Sequence, residues 1–298
     1  MTQPIKVEQK YIDLFMEYTH VPLPRRVFLD RLTLLAGGTI AASTVLPLLE
    51  NNYAKAAIVE PNDPRITAVK EDIDGGDGVK VKTLVAKSRT ATGRLPTLIV
   101  IHENRGLNPH IEDVTRRMAV EGFLALGVDL LSMAGGYPGT DEAAAQIFGQ
   151  VQAPKAVAEV QNIAKVAAAR PDSNGKVGVI GFCWGGGRVN DIMTSPATGT
   201  TVSAGVVYYG APAGMPANAP NVKSPIMIHL GGLDTGTNAP YPAYIDALKA
   251  AGAKVQNFTY EGANHAFNND TNAARYNEAA AKQAWDRSVA FLKESLKA

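Results

Sequence analysis

Residues 177–187 read VGVIGFCWGGG, an apolar run that breaks into glycines around Cys183, the only cysteine in a chain of 298 residues. VGVI has the composition of a buried strand, and WGGGRVNDIM from Trp184 onward can open a helix, so Cys183 falls at a strand's carboxyl end. A free cysteine alone is most simply a small buried hydrophobe. The glycines argue for more. Gly181 and Gly185 stand two residues to either side of Cys183, the spacing of an elbow that holds a nucleophile on a strained backbone. Small residues are required there because a Cβ on the neighbouring turn would strike the strand or the helix. A thiol at a helix N-terminus also faces partial positive charge, which favours the thiolate.

Working outward, apolar runs alternate with helical patterns. ITAVKEDI (66–73) and VKVKTLVAK (79–87) flank the turn-rich DGGDG and predict an antiparallel hairpin. TLIVIH (97–102), FLALGV (123–128), AGVVY (204–208), SPIMIHL (224–230) and KVQNFTY (254–260) predict further strands. Helical patterns lie between them, with a long one ending at Leu296. The alternation predicts an α/β fold with a mainly parallel central sheet covered by helices on both faces, preceded by the hairpin. Ligand chemistry then belongs at the carboxyl ends of the strands.

Two further residues meet that condition. Asp234, in LGGLDTGTN, follows the strand IMIHL, and His265, in EGANHAF, follows VQNFTY. Taken singly they read as a turn carboxylate and a loop histidine. Nucleophile, acid and histidine in that chain order, each at a strand end, form the pattern of a nucleophilic triad.

Composition excludes several alternatives. With 46% hydrophobic residues the chain can bury a substantial core. The 29 Lys and Arg against 28 Asp and Glu, a net charge of +1, leave no basic field for nucleic acid. A single cysteine makes no intrachain disulfide, and neither a CxxC pair nor an HExxH helix marks a metal site.

Residues 1–56 are of another kind. PRRVFLDRL (24–32) leads into LTLLAGGTIAASTVLPLL (32–49), and Ala54 and Ala56 make a small-x-small cleavage pattern. The run is too diluted by Gly, Ser and Thr for stable membrane insertion. Arg25 and Arg26 resemble a twin-arginine signal, which implies export machinery as a partner and a periplasmic destination. The alternative is a cytoplasmic chain whose N-terminus is an arm packed on the domain, since KVEQKYIDLFMEY (6–18) has helical periodicity. The catalytic domain is expected over residues 57–298.

Over roughly residues 66–296 the chain resembles the dienelactone hydrolase family of the α/β hydrolase superfamily. IHENRGLNPHIEDVTRR (101–117), SNGKVGVIGFCWGGG (173–187), VVYYG (206–210), GGLDT (231–235) and EGANHAF (261–267) carry the resemblance. It implies an α/β hydrolase fold and hydrolysis of a small ester or lactone through a Cys183 acyl-enzyme, with Asp234 and His265 as acid and base. It also implies Glu103 as a carboxylate that activates the thiol, the backbone N–H groups of Trp184 and Asn104 as an oxyanion hole, and no metal or organic cofactor. The family's namesakes hold a substrate carboxylate with two arginines. Here YPGTDEAAAQIFGQV (137–151) contains none, and Asn268 and Asn269 occupy the place expected just after the histidine. Arg105 or Arg188 could substitute, although an ion pair is the simpler reading of Arg188. Tyr137, Tyr208 and Trp184 are candidates for an apolar pocket wall, with plain packing as the competing reading. His102 and His229 fall inside apolar strands and read as core histidines, while His20 and His110 carry no signal. A thiol redox protein, or a binding protein on the same fold, are the rival functions.

Overall fold

LIVI (98–101) is apolar at every position because its strand is covered on both faces. Leu98 and Val100 join Ile111, Val114 and Met118 in one buried cluster, whereas Ile99 and Ile101 join Val160, Ile163 and Ala164 in another. This is the period-two pleat expected of a fully buried strand.

The computed structural model describes residues 7–20, 23–54, 57–196, 201–212 and 216–297. Its strands are β1 (Ile66–Gly76), β2 (Val79–Ser88), β3 (Leu95–Ile101), β4 (Leu124–Val128), β5 (Ser173–Phe182), β6 (Ala204–Tyr208), β7 (Ile226–Gly231) and β8 (Val255–Tyr260). They form one sheet in the order β1-β2-β4-β3-β5-β6-β7-β8. β1 and β2 are the predicted antiparallel hairpin, β2 also pairs antiparallel with β4, and β3 to β8 are mutually parallel.

Ten helices are described. α1 (Gln9–His20), α2 (Arg25–Ala36) and α3 (Thr39–Leu49) precede the sheet; α4 (Pro109–Val120), α5 (Asp141–Phe148), α6 (Ala153–Ala168), α7 (Trp184–Thr194), α8 (Thr235–Asn238), α9 (Tyr241–Ala250) and α10 (Glu278–Ser295) follow or connect the strands. Apolar side chains of α4 and α10 cover one face of the sheet, and those of α6, α7 and α9 cover the other.

The first three helices fold on themselves around Ile12, Phe15, Phe28, Leu32 and Leu49. Tyr18 stacks on Phe28 with ring centroids 4.4 Å apart, and the Arg31 guanidinium forks onto Glu17 at 2.6 and 2.8 Å. The arm is bonded to the domain by backbone: Asn52 N–H donates to Thr271 O at 2.8 Å and Ala274 N–H to Leu48 O at 3.2 Å. Among the described residues no single helix is long and apolar enough to cross a membrane; α2 and α3 reach that length only together, and they are bent by 116°. Ala56, half of the expected cleavage pattern, lies outside the described residues.

The glycines flanking Cys183 meet the close contacts expected of them. A Cβ on Gly181 would lie 2.2 Å from Gly185 O, and one on Gly185 would lie 2.5 Å from His102 O and 2.6 Å from Ile101 O. All three obstacles are backbone and cannot swing aside. Gly185→Ala should therefore lower stability by about 2–4 kcal/mol, read from a denaturant midpoint. Gly149→Ala, where an added Cβ meets nothing within 4 Å, should be close to neutral.

Candidate active site

The carboxyl ends of β5, β7 and β8 converge. Cys183 is the residue between β5 and α7, with φ 52° and ψ −115°. Its N–H donates to Tyr208 O at 3.0 Å, and its carbonyl accepts from Gly187 N–H at 3.1 Å. Among the described residues four non-glycine residues have positive φ, and three of them, Cys183, Tyr209 and Ala266, line this site. Such strain persists only where the surroundings over-determine it, and it clusters where function needs it.

The thiol is 7% exposed and borders two adjoining cavities of about 360 and 660 Å³. His265 borders both as well and is 5% exposed. Its Nδ1–H donates to Asp234 Oδ2 at 2.6 Å. Asp234 caps α8 and accepts from Thr237 N–H at 3.4 Å on its other oxygen. Among the described residues the Nε2 atom of His265 is buried without a hydrogen-bond partner, and the ring offers a nitrogen within 4.8 Å of Cys183 Sγ.

Charges at this site govern one another. Burial alone would push the Cys183 thiol up, but the facing imidazoles of His265 and His20 outweigh it and bring it down to about 6. Burial opposes a charge on His265 too, yet Cys183 and Asp234 together push it up to about 10. Asp234 is held below its ordinary range by His265 despite its own burial. The arrangement favours a thiolate facing an imidazolium.

Other predicted residues divide. Glu103 is buried at the cavity wall, but its Oε2 accepts from Asn269 Nδ2 at 3.1 Å, and among the described residues its Oε1 has no partner. Among the described residues no hydrogen bond joins Glu103 to the thiol. Asn104 and Arg105 line both cavities, Arg105 donating to Asn104 O at 2.8 Å. Trp184 lines the larger cavity, with Phe148 edge-on to it. Arg188 lies over the Trp184 ring and pairs with Asp191 at 2.6 Å, the simpler of its two readings.

Tyr208 does not form a pocket wall. It is fully buried with its hydroxyl 2.9 Å from Ser288 Oγ, because its place in β6 turns its side chain toward α10. The next residue, Tyr209, leaves the strand with φ 38° and lines the larger cavity instead. Tyr137 is also displaced: it borders a separate cavity with Lys82 and Asp129, and its hydroxyl is 3.5 Å from Asp141. His102 and His229 are core residues as expected. Leu130 N–H donates to His102 Nε2, while His229 contacts the Tyr260 and Ser288 hydroxyls.

Two site residues carried no readable signal. His20, the last residue of α1, has Nε2 3.3 Å from Cys183 Sγ, and its ring stands edge-on to His265 at 4.8 Å. Arg275, ten residues beyond His265, lies buried at the smaller cavity under Phe15, with Nη1 3.4 Å from Met16 Sδ. It gives the cavity a buried guanidinium, although Asn268 and Asn269 occupy the place just after the histidine. His20 and Arg275 are both placed by the arm, whose Thr19 carbonyl also accepts from Asn104 Nδ2 at 2.8 Å.

A mainly parallel sheet, a left-handed residue between its central strand and a helix, and an acid–histidine pair beyond later strands define the α/β hydrolase fold. Comparison with known proteins narrows the class. The model of the dienelactone hydrolase family matches residues 81–296, and the chain belongs to that family of hydrolases. It is 43% identical over 114 residues to the "Putative hydrolase fragment YghX" of Escherichia coli, covering 38% of this chain and 97% of the relative. A "Putative carboxymethylenebutenolidase" of Methylorubrum extorquens is 33% identical over 210 residues, 65% of this chain and 70% of the relative. Among solved structures, a "Putative Dienelactone Hydrolase" from Klebsiella pneumoniae superposes with a TM-score of 0.66 at 28% identity, over 77% of this chain and 99% of its own.

The charge pattern fixes a pH response. The thiolate fraction should rise through pH of about 6, so inactivation by iodoacetamide should reach half its plateau rate there rather than near the ordinary thiol value. Because His265 supplies positive charge that favours the thiolate, His265→Ala should move that midpoint upward. An unchanged midpoint would show that the imidazole does not act on the sulfur.

Proposed function

We propose that the chain hydrolyses small carboxylic esters or lactones through a covalent Cys183 thioester, with Cys183, His265 and Asp234 acting as the triad. The observation that carries this reading is the strained thiol beside an imidazole that is itself held by a buried carboxylate. The thiolate adds to the carbonyl carbon, and the negative charge on oxygen is met by the backbone N–H groups of Trp184 and Asn104. Trp184 opens α7, so its N–H belongs to the first helical turn and has no acceptor within the helix. Collapse expels the alkoxide, which takes the Nε2 proton of His265. Neutral His265 then removes a proton from water, the hydroxide adds to the thioester, and the acid leaves as the thiolate and imidazolium return. Glu103, which borders the same cavity and whose Oε1 is buried without a partner among the described residues, is proposed to hold the protonated thiol before the imidazole takes over.

The substrate proposal follows from charge. Arg105 and Arg275 both border the smaller cavity, and an anionic substituent on the ester or lactone would sit between them. Relatives named carboxymethylenebutenolidase point to the same class, a lactone bearing a carboxylate.

Cys183→Ala and His265→Ala should each lower kcat/KM for p-nitrophenyl acetate by about 10³-fold or more, with an acyl adduct on Cys183 detectable by mass in the wild type. Rates equal to wild type in both variants would overturn the triad. Arg275→Gln should raise KM about tenfold for an ester carrying a carboxylate and leave KM for a neutral ester nearly unchanged.

The destination of the chain is a separate proposal: the arginine pair at the start of α2 directs export to the periplasm. Arg25 pairs with Glu50 at 3.1 Å and with Glu142 at 3.7 Å, which favours the rival cytoplasmic reading in which the arm is retained. Cell fractionation of wild type and of Arg25→Lys with Arg26→Lys decides between them. Loss of a periplasmic form in the variant supports export, and a full-length cytoplasmic product in both supports the retained arm.

A further inference from the structure

We propose that His20 Nε2, Cys183 Sγ and His265 Nε2 together form a binding site for a zinc-like divalent cation, which closes over the sulfur and reversibly silences the enzyme. The silencing rests on Cys183 being the nucleophile; the binding does not. The three atoms lie within 4.8 Å of one another, and the pair from His20 and Cys183 is already at 3.3 Å. Tetrahedral zinc with Zn–N of about 2.0–2.1 Å and Zn–S of about 2.3 Å spaces its ligand atoms roughly 3.3–3.6 Å apart. The His20–Cys183 separation already fits, so closing the cluster onto an ion needs only the longer separations to His265 to shorten by about 1 Å.

Both rings are oriented as metal ligands are. A ligating histidine commonly donates its other ring N–H to a carboxylate or a backbone carbonyl, which fixes the tautomer and frees the ligating nitrogen. His265 Nδ1–H donates to Asp234, and His20 Nδ1–H donates to Met16 O at 2.9 Å. A carbonyl can only accept, so neutral His20 carries its proton on Nδ1 and turns the Nε2 lone pair toward the sulfur. Against a thiolate, two lone pairs then face each other, and a cation must come between them, either a proton or a metal ion. Among the described residues His265 Nε2, in a side chain 5% exposed, has no hydrogen-bond partner in the geometry and faces the same sulfur.

One thiolate and two imidazoles suit zinc and not magnesium or calcium, which take oxygen ligands. All three residues border both cavities, so the fourth position opens toward water. The balance is simple. The ion displaces the Nε2 proton of His265 to solvent and takes its lone pair, one proton leaves per ion bound, and the sulfur can no longer attack a carbonyl. His20 comes from the arm, so the domain alone offers only two ligands.

The test uses the full chain, stripped with chelator and titrated with Zn²⁺ against a chromophoric competitor. The expected result is one ion per chain with one proton released, and loss of esterase activity that is restored by chelator. His20→Ala and His20→Gln should weaken binding at least about tenfold, the scale of losing even an outer-shell partner, and Cys183→Ala should weaken it further. Co²⁺ in the wild type should show a thiolate-to-cobalt charge-transfer band, which needs no variant to read. Absence of that band, or unchanged affinity in both His20 variants, would overturn the site. Zinc binding that fails while Cys183→Ala still abolishes turnover would remove this proposal and leave the triad standing. The reverse pattern would remove the triad and leave the metal site.

Discussion

The approach of α7 to the sheet is so close that backbone meets backbone. Besides the contacts of Gly181 and Gly185, a Cβ on Gly186 would lie 2.7 Å from Tyr208 O, and one on Gly210 would lie 2.2 Å from the Gly186 carbonyl carbon. A helix set this tightly against its own strand can be joined to it only through a residue turned into the left-handed region, and that residue is Cys183. The turn lifts the side chain off the sheet edge and sets the sulfur at a helix N-terminus. Asp234 and His265 can matter to chemistry because this joint has fixed where the sulfur stands.

Burial raises the electrostatic stakes at the same point. An isolated thiolate in a nearly closed site would be expensive, and the imidazole of His265, held by Asp234, favours the charge on sulfur and offsets that cost. Glu103 and Arg275 border the same cavity and attract each other, which eases the burial of both. Each charge is tolerable because its neighbour is present, so single substitutions here should act on several groups at once.

Most of the fold was legible because its signals are local. Apolar runs gave the strands, the alternation with helices gave the parallel sheet, and strand ends located Cys183, Asp234 and His265 without any distance being known. What local signals could not give was the direction of a side chain just past a strand. Tyr208 and Tyr209 are adjacent and chemically identical, and only a backbone turn after β6 decides which one meets the cavity. The contribution of the arm was illegible for a different reason. Helical periodicity announced α1 but said nothing of its docking partner, so His20 and Arg275, 255 residues apart, had no reason to be read together. Their juxtaposition depends on Phe15 and Met16 packing against Arg275.

The arm's attachment also sets an order of assembly. Its anchors are Asn264 and Thr271, which accept from Gln9 and Asn52, and Asn272 and Ala274, which donate to the carbonyls of Leu49 and Leu48. A ribosome makes the arm first and those anchors almost last. For most of translation the nascent arm can therefore gather Phe28 and Leu32 with Ile12, Phe15 and Leu49 in its own small core, but it has no domain to dock on. The cavity wall that carries His20 and Arg25 thus joins the first-made part of the chain to residues near its carboxyl end, and it can close only after those residues have emerged.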